Sequence, residues 1–149
     1  MKFRNHRWIA ASFGRRLANA VACHFGVWRP DIVTWAPTTI RRVRVRGHDQ
    51  SALIAAALAR SLDIRCVRTL RRTDDRTQTG AAREARRHGP RYKIRRSALM
   101  GRRVLLVDDV MTTGTTLMHA RDALLSAGAL EVRCAVIAHV KTRQGRGVG

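Results

Sequence analysis

Two adjacent carboxylates and a hydroxyl-rich loop are the residues of this sequence most suited to chemistry. Asp108 and Asp109 come first, and after one valine the loop follows: Met111, Thr112, Thr113, Gly114, Thr115 and Thr116. If a helix begins at the end of this loop, its free N–H groups and positive dipole favour a phosphate, which Gly114 lets the backbone approach. Carboxylates repel phosphate, so their natural target is a sugar diol or a divalent cation beside it. The segment predicts a site for a phosphorylated sugar.

The segments on either side have the patterns needed to hold such a site. The apolar run from Val104 to Val107 predicts a buried strand, and four apolar residues recur at helical spacing between Leu117 and Leu125. In open α/β sheets, ligands bind beyond the carboxyl ends of the strands. Because neighbouring strand residues face opposite sides, Asp109 is expected past the strand end if both acids serve one sugar. An ordinary acidic turn is an alternative, whereas a Walker-B acid pair requires a G-x-x-x-x-G-K-[ST] loop that the sequence lacks.

Strands and helices alternate along the rest of the chain, which favours an α/β fold with a mainly parallel sheet flanked by helices. Asp49 is a candidate N-cap, residues 41–47 are expected to form an arginine-rich loop, and residues 71–97 are poor in apolar side chains apart from a short helix at 81–87. We expect one domain over residues 1–140 and a flexible tail over 141–149. The predicted helices are 12–23, 50–62 and 115–127, and the predicted strands are 31–36, 64–70, 103–108 and 131–139.

Charge is the second unusual property of the chain. Among 149 residues, 30 are basic and 10 are acidic, which gives a formal net charge of +20, and arginine supplies nearly all of the excess. Arginine pairs with phosphate through two parallel hydrogen bonds, so one interpretation is an arginine-rich surface for single-stranded or duplex DNA. The other is a solvated face encoded by a genome rich in G and C, although codon bias does not explain the shortage of acids. The sequence leaves both open.

Cysteine content and hydropathy indicate the compartment. Cys23, Cys66 and Cys134 are odd in number and lie among apolar residues, which predicts buried thiols in a reducing environment. The sequence contains no C-x-x-C pair, so no zinc is expected in this chain. It also contains neither an 18-residue apolar stretch nor a signal-peptide core. We expect a cytoplasmic protein without a membrane span. The sequence does not indicate its oligomeric state.

Residues 104–117 resemble the phosphoribosyl-pyrophosphate (PRPP) motif of type I phosphoribosyltransferases. The resemblance implies that Asp108 and Asp109 hold the ribose hydroxyls and that residues 111–116 bind the 5′-phosphate. It implies that Mg²⁺ enters with PRPP, with the two acids as its candidate protein ligands. It also implies that the loop after the first core strand receives the pyrophosphate. Thr38 and Thr39 match that position, although the same residues also suit a generic proline turn.

The stretch Arg46-Gly47-His48-Asp49-Gln50 narrows the resemblance to the competence-associated ComF/GntX branch of this superfamily. Members of the branch show R-G-F-[ND]-Q here, so His48 is a departure, and Arg46 is implied as a pyrophosphate contact. The start of the chain, Met1 to Asn5, resembles a stretch that follows an N-terminal zinc ribbon in the branch. We expect either that the ribbon was lost or that the start codon was assigned too late.

A lid over the ligand is implied by the segment that begins at Leu70. It is similar to the branch's L-x-R-x-x-x-T-x-x-Q-x-G stretch, and in the type I fold a mobile loop from this region closes over PRPP. The scarcity of apolar anchors suits a lid, while an ordinary solvated loop is the alternative. The implied lid residues are Arg71, Arg72, Gln78, Thr79 and Gly80.

The implied reaction is displacement of pyrophosphate from Mg-PRPP by a nitrogenous acceptor that the sequence does not identify. Thr112 stands where purine phosphoribosyltransferases usually carry an aspartate that handles base protonation, so purine salvage is disfavoured and the catalytic base is unknown. The alternative is a competence or DNA-uptake accessory protein that binds nucleic acid and uses PRPP as a ligand with little or no turnover. The net charge favours this alternative, whereas the intact acid pair and the implied lid favour the transferase.

Overall fold

A computed structural model describes residues 2–73, 90–94 and 99–140, with side chains from residue 9 onward. The helices of these ranges are α1 (Lys2–Phe25), α2 (Ile40–Arg46), α3 (Gln50–Ser61) and α4 (Thr115–Ser126). The strands are β1 (Ile32–Trp35), β2 (Arg65–Cys66), β3 (Leu70–Arg72), β4 (Tyr92–Ile94), β5 (Arg103–Met111) and β6 (Glu131–His139).

Four parallel strands form the main sheet, in the order β2, β1, β5 and β6. Residues 104–107 of β5 are fully buried because helices cover both faces of the sheet. Trp35, at the end of β1, lies opposite Val107 of β5. The carboxyl ends of the two central strands therefore meet at one edge, next to Asp108. The predicted α/β fold, with a mainly parallel sheet flanked by helices, is confirmed.

Two apolar cores, one on each face of the sheet, fix the helices that reach this edge. Alternate residues of β5 face them, so that Val107 packs with α1 and α3 whereas Leu106 packs with α4. Helices α1 and α3 approach closely at Gly14, where an added Cβ would lie 2.6 Å from the Cβ of Ala57. The position of α3 over the sheet therefore depends on the absence of a side chain at Gly14.

Strands β3 and β4 form a separate antiparallel pair outside the main sheet. Leu70 of β3 is fully buried, and Tyr92 and Ile94 of β4 pack against the same core on the α4 side. The hydroxyls of Thr34 in β1 and Thr69 before β3 lie 2.7 Å apart in the interior. This buried hydrogen bond ties the pair to the central strand, because neither hydroxyl has water as an alternative partner.

Two predicted elements are wrong. Residues 41–46 of the segment 41–47, which was predicted as a loop, belong to α2. The hydroxyl of its N-cap Thr39 accepts a hydrogen bond from the Arg42 N–H, and the C-cap Gly47 has a φ of 78°. The predicted strand 64–70 is divided between β2 and β3, which lie in different sheets. Boundaries also differ, since α1 begins ten residues earlier than the predicted helix and β5 extends three residues further than the predicted strand.

The cysteine environment also differs from the prediction. Cys23 lies on the exposed face of α1, Cys66 is exposed on the edge strand β2, and Cys134 is half-buried. The predicted helix at 81–87 and the predicted tail at 141–149 lie outside the described residues. Within the described ranges, no helix combines the length and hydropathy that a membrane crossing requires.

Candidate functional site

The acid pair lies on β5 at the point where this strand extends beyond its neighbour β1. Strand β1 ends opposite Val107, and the N–H of Asp109, two residues further on, donates to Asp108 Oδ1 at 2.9 Å and to Ser51 Oγ at 3.2 Å. On the other side, β6 keeps β5 extended as far as Met111. Asp109 therefore lies within β5 and not past its end, which was the position expected if both acids serve one sugar, although Asp109 itself has no paired residue in β6.

Asp108 is held by Ser51, a residue of α3 that was not predicted as part of the site. Ser51 Oγ donates to Asp108 Oδ1 at 2.9 Å, and the two residues are only 2% and 7% exposed. The hydrogen bonds that Asp108 accepts from Ser51 and from the Asp109 N–H both end on Oδ1, and the Asp109 carboxyl also interacts with the Asp108 carboxyl. The sequence pattern of α3 could have indicated Ser51, because it lies in the buried stripe of this helix, where a polar side chain needs a partner.

Burial raises the pKa of Asp108 to about 7. Desolvation is the largest cause, the hydrogen bonds from Ser51 and the Asp109 N–H oppose it, and the neighbouring Asp109 carboxyl adds to the rise. Near neutral pH, Asp108 is therefore poised between its protonated and ionised forms. Either form can hydrogen-bond to a hydroxyl of a diol, as donor or as acceptor.

The predicted phosphate loop surrounds a cavity of about 30 Å³, lined by Asp108 and by residues 110–117. Gly114 precedes α4 with a φ of 79°, a left-handed conformation that favours glycine. The hydroxyls of Thr113 and Thr115 lie 2.9 Å apart, and the first turn of α4 contains no acid. The loop can therefore present N–H and hydroxyl donors to a phosphate. Among the described lining residues Asp108 is present and Asp109 is absent.

The loop after β1 is connected to α3 through Asp49. The Thr38 N–H donates to Asp49 Oδ2 at 3.3 Å, whereas Asp49 Oδ1 is buried without a hydrogen-bond partner in the described part of the chain. Burial is the main reason that the pKa of Asp49 is raised, and the Thr38 N–H works against it. Asp49 occupies the N-cap position of α3, as predicted, but its side chain makes no capping hydrogen bond. It holds the Thr38 loop instead.

A basic groove of about 350 Å³ adjoins the same loop. Arg71 and Lys93 lie directly opposite each other in the β3–β4 ladder, where two like charges repel. Arg71 and Arg72, two implied lid residues, line this groove together with Thr38. The other three implied lid residues, at positions 78–80, lie outside the described residues. The described lining consists of Pro37, Thr38, Ile40, Arg68, Arg71, Arg72, Thr73 and Lys93.

Two of the implied pyrophosphate contacts stand apart from this groove. The Thr39 hydroxyl is used to cap α2. Arg46 is exposed in the last turn of α2, where a cation favours the helix dipole, and it is absent from the described lining of both cavities. Arg68 and Lys93 line the groove and were missed, because Lys93 reaches it only through the pairing of β4 with β3.

A cation at this site would depend on its ligand for most of its coordination. Among the described residues, no three His, Cys, Asp or Glu side chains converge on one point. Two adjacent carboxylates beside a phosphate cavity nevertheless suit Mg²⁺, which binds through one or two carboxylates, water and phosphate oxygens. The donor set therefore fits a cation that arrives with a phosphorylated ligand.

Sequence comparison identifies the family to which this site corresponds. Residues 48–147 match the model of the phosphoribosyl transferase domain. The chain is 31% identical over 143 residues to Competence protein F from Haemophilus influenzae, covering 89% of this chain and 62% of that protein. It is 29% identical over 140 residues to DNA utilization protein YhgH from Salmonella typhimurium, covering 89% and 61%. The chain thus spans about three fifths of the length of these curated relatives.

Solved structures show the same fold. A glutamine PRPP amidotransferase from B. subtilis, complexed with ADP and GMP, superposes with a TM-score of 0.59 at 25% identity, over 84% of this chain and 25% of that one. A purine phosphoribosyltransferase from Pyrococcus horikoshii superposes with a TM-score of 0.55 at 20% identity, over 91% of this chain and 83% of that one. The family match and the curated relatives confirm the resemblance to the competence-associated branch, and the solved structures show its fold.

Proposed function

Because the chain belongs to the phosphoribosyl transferase domain family, we propose that it binds Mg-PRPP and transfers the phosphoribosyl group to a nitrogenous acceptor. The observation that carries the proposal is the position of Asp108 at the mouth of the Gly114 loop. Its Oδ1 is fixed by Ser51 and the Asp109 N–H, while Oδ2 is left for a ribose hydroxyl. A carboxylate and a phosphate loop that line the same cavity suit the two ends of a ribose 5-phosphate.

The chain's own contribution to the reaction is positioning and charge neutralisation. Asp108 would hold the ribose and residues 111–116 the 5′-phosphate, and Asp109, which lies within β5 outside the described cavity lining, is the second ribose contact that the resemblance implies. Thr38 is the proposed pyrophosphate contact in the groove, and Thr39 and Arg46, outside its described lining, are the further contacts that the resemblance implies. Arg71 and Arg72 would close the groove as part of the lid. The groove's cations favour the departing pyrophosphate, whose negative charge grows as its bond to the sugar breaks. Mg²⁺, when bound, would supply further charge neutralisation on the phosphate oxygens.

The acceptor is limited by the residue at position 112. A threonine hydroxyl is a poor base near neutral pH, so we propose an acceptor whose nitrogen attacks without help from that position, rather than a purine base. The three free cysteines suit a reducing cytoplasm, which is where we propose that the protein works.

Calorimetric titration with PRPP tests the proposal. Wild-type protein is expected to bind PRPP in the presence of Mg²⁺ and more weakly without it, and the Asp108→Asn/Asp109→Asn variant is expected to lose that binding. Each charged hydrogen bond removed should cost about 1.5 to 3 kcal/mol. Asp122→Asn is the matched control, since Asp122 is an exposed acid on α4 that lies outside the phosphate cavity. Failure of well-folded wild-type protein to bind PRPP would overturn the proposal.

Helix α2 favours a second candidate function, a nucleic-acid-handling accessory role with PRPP as a ligand. None of its seven residues is buried, four of them are arginines, and Val45 is 80% exposed. A helix without a buried residue gains little from the core, and its arginine side chains are exposed to a partner. Arginines on an exposed helix suit the phosphates of DNA. The Haemophilus and Salmonella relatives are named for competence and for DNA utilization.

The salt dependence of DNA binding tests this second candidate. Replacing Arg41, Arg42 and Arg44 by glutamine should weaken binding and reduce the slope of log K against log salt by about 1 to 3. The control carries the same loss of charge elsewhere, at three exposed arginines: Arg15, Arg16 and Arg60. Equal effects of the two variants would indicate a diffuse charge effect and would contradict a role for α2.

A further inference from the structure

Ser51 stands out among the polar residues of α3. It lies in the first turn of the helix, it is 2% exposed, and the residues that continue its face, Ile54, Ala55 and Leu58, are apolar and buried. A buried hydroxyl at such a position requires a partner. Ser61, in the last turn of the same helix, bonds back to the Ala57 carbonyl, which is ordinary behaviour for a helical serine.

The hydroxyl of Ser51 bonds across to the sheet instead. It donates to Asp108 Oδ1 at 2.9 Å and accepts from the Asp109 N–H at 3.2 Å, while that N–H also donates to Asp108 Oδ1 at 2.9 Å. The three groups form a closed cycle of hydrogen bonds that contains both positions of the acid pair. Since two of the bonds end on Oδ1, the cycle fixes the rotation of the Asp108 carboxyl group about its side chain.

We propose that Ser51 is a positioning residue for ribose recognition, which acts by fixing Asp108 so that Oδ2 meets the sugar hydroxyls. The inference rests on the proposed binding of a phosphoribosyl ligand. Without the Ser51 hydroxyl, Asp108 keeps one hydrogen bond. The cost of ordering its carboxyl group then reduces the free energy of ligand binding. The phosphate loop, residues 111–116, makes no hydrogen bond to Ser51 within the described chain.

Ribose 5-phosphate and inorganic phosphate are the two probes that separate this role from a general structural one. Ribose 5-phosphate needs both the acids and the loop, whereas inorganic phosphate needs the loop alone. In the presence of Mg²⁺, Ser51→Ala should lower the affinity for ribose 5-phosphate by about tenfold or more, which corresponds to the loss of one hydrogen bond to a charged group. Its affinity for inorganic phosphate should stay within about twofold, since neither the loop nor its hydrogen bonds change.

Two further variants control the experiment. Ser61→Ala makes the same chemical change on the same helix and should leave both affinities unchanged. In an Asp108→Ala background, which leaves no oxygen for Ser51 to fix, Ser51→Ala should add less than about twofold, because two residues that act through one contact are not additive. Affinities are measured by NMR or calorimetric titration, and thermal melts check that each variant is folded.

Each outcome decides the inference. Wild-type affinity of Ser51→Ala for ribose 5-phosphate would overturn it, and so would equal weakening of both probes, which would indicate that Ser51 supports the whole site. An additive effect in the Asp108→Ala background would show that Ser51 does not act through Asp108. If wild-type protein binds inorganic phosphate but neither ribose 5-phosphate nor PRPP, the proposed function fails together with the inference. Failure of the inference alone leaves the wild-type affinities intact.

Discussion

Asp108 is expected to make the unliganded protein less stable than a neutral residue would. Its pKa in the folded chain is about 7, whereas the ordinary value of such a carboxyl is 3.8. At pH 8 the folded chain has to ionise a buried carboxyl that the unfolded chain ionises in water. Replacing Asp108 by Asn removes this penalty, and the amide oxygen can accept the same two hydrogen bonds that Asp108 Oδ1 accepts.

The direction of the pH effect follows from the two protonation equilibria. Below about pH 4 both states hold the carboxyl protonated, so burial carries no ionisation penalty. Between about pH 4 and pH 7 the unfolded chain loses its proton first, so wild-type stability falls with rising pH. The pKa difference corresponds to about 4 kcal/mol as an upper limit. Because the site relaxes and admits water, we expect about 1 to 3 kcal/mol.

Urea unfolding at pH 4.5 and pH 8, with EDTA present to exclude cations, measures this effect. The stability of Asp108→Asn relative to wild type should rise by about 1 to 3 kcal/mol between the two pH values, or about 3 to 9 °C in melting temperature. Asp122→Asn, at an exposed position of α4, is the control and should differ little from wild type at either pH. A difference between Asp108→Asn and wild type that stays constant with pH would refute the reasoning from burial.

Two glycine substitutions are expected to separate stability from ligand binding. Gly114→Ala places a side chain at a φ of 79° without a steric clash. It should therefore lower the free energy of unfolding in urea by about 1 to 2 kcal/mol and also weaken phosphate binding. The control, Gly101→Ala, has a φ of 69° in open space and should lower stability alone. Gly14→Ala should lower the stability of the fold by about 1 to 3 kcal/mol, because its Cβ would meet Ala57. It should also weaken the binding of ribose 5-phosphate, since α3 and Ser51 would be displaced. Wild-type stability of Gly14→Ala would contradict the close packing of α1 and α3.

The elements that were predicted correctly are those with a buried face. The apolar run of β5 and the helical spacing in α3 and α4 are visible in the sequence because burial imposes a period. Helix α2 has no buried residue, so no period marked it and its arginines suggested a loop. Its end signals, Thr39 and Gly47, were present but are weak without a hydrophobic stripe between them. Strands β3 and β4 are three residues each and exist through their pairing with each other, which local sequence does not encode.

The candidate site likewise has a part that was predictable from local sequence and a part that was not. The acids and the phosphate loop form one contiguous segment, so their order alone predicted a phosphorylated sugar. The groups that prepare this segment come from elsewhere, since Ser51 is 57 residues from Asp108 in the chain. The apolar stripe of α3, continued backward from Ile54 and Leu58, nevertheless predicts that position 51 is buried. A serine in a buried stripe, in the first turn of a helix that starts at the carboxyl edge of a sheet, has to find a partner there. The acid pair at that edge is this partner, since the Ser51 hydrogen bond fixes one oxygen of Asp108 and leaves the other for the ligand.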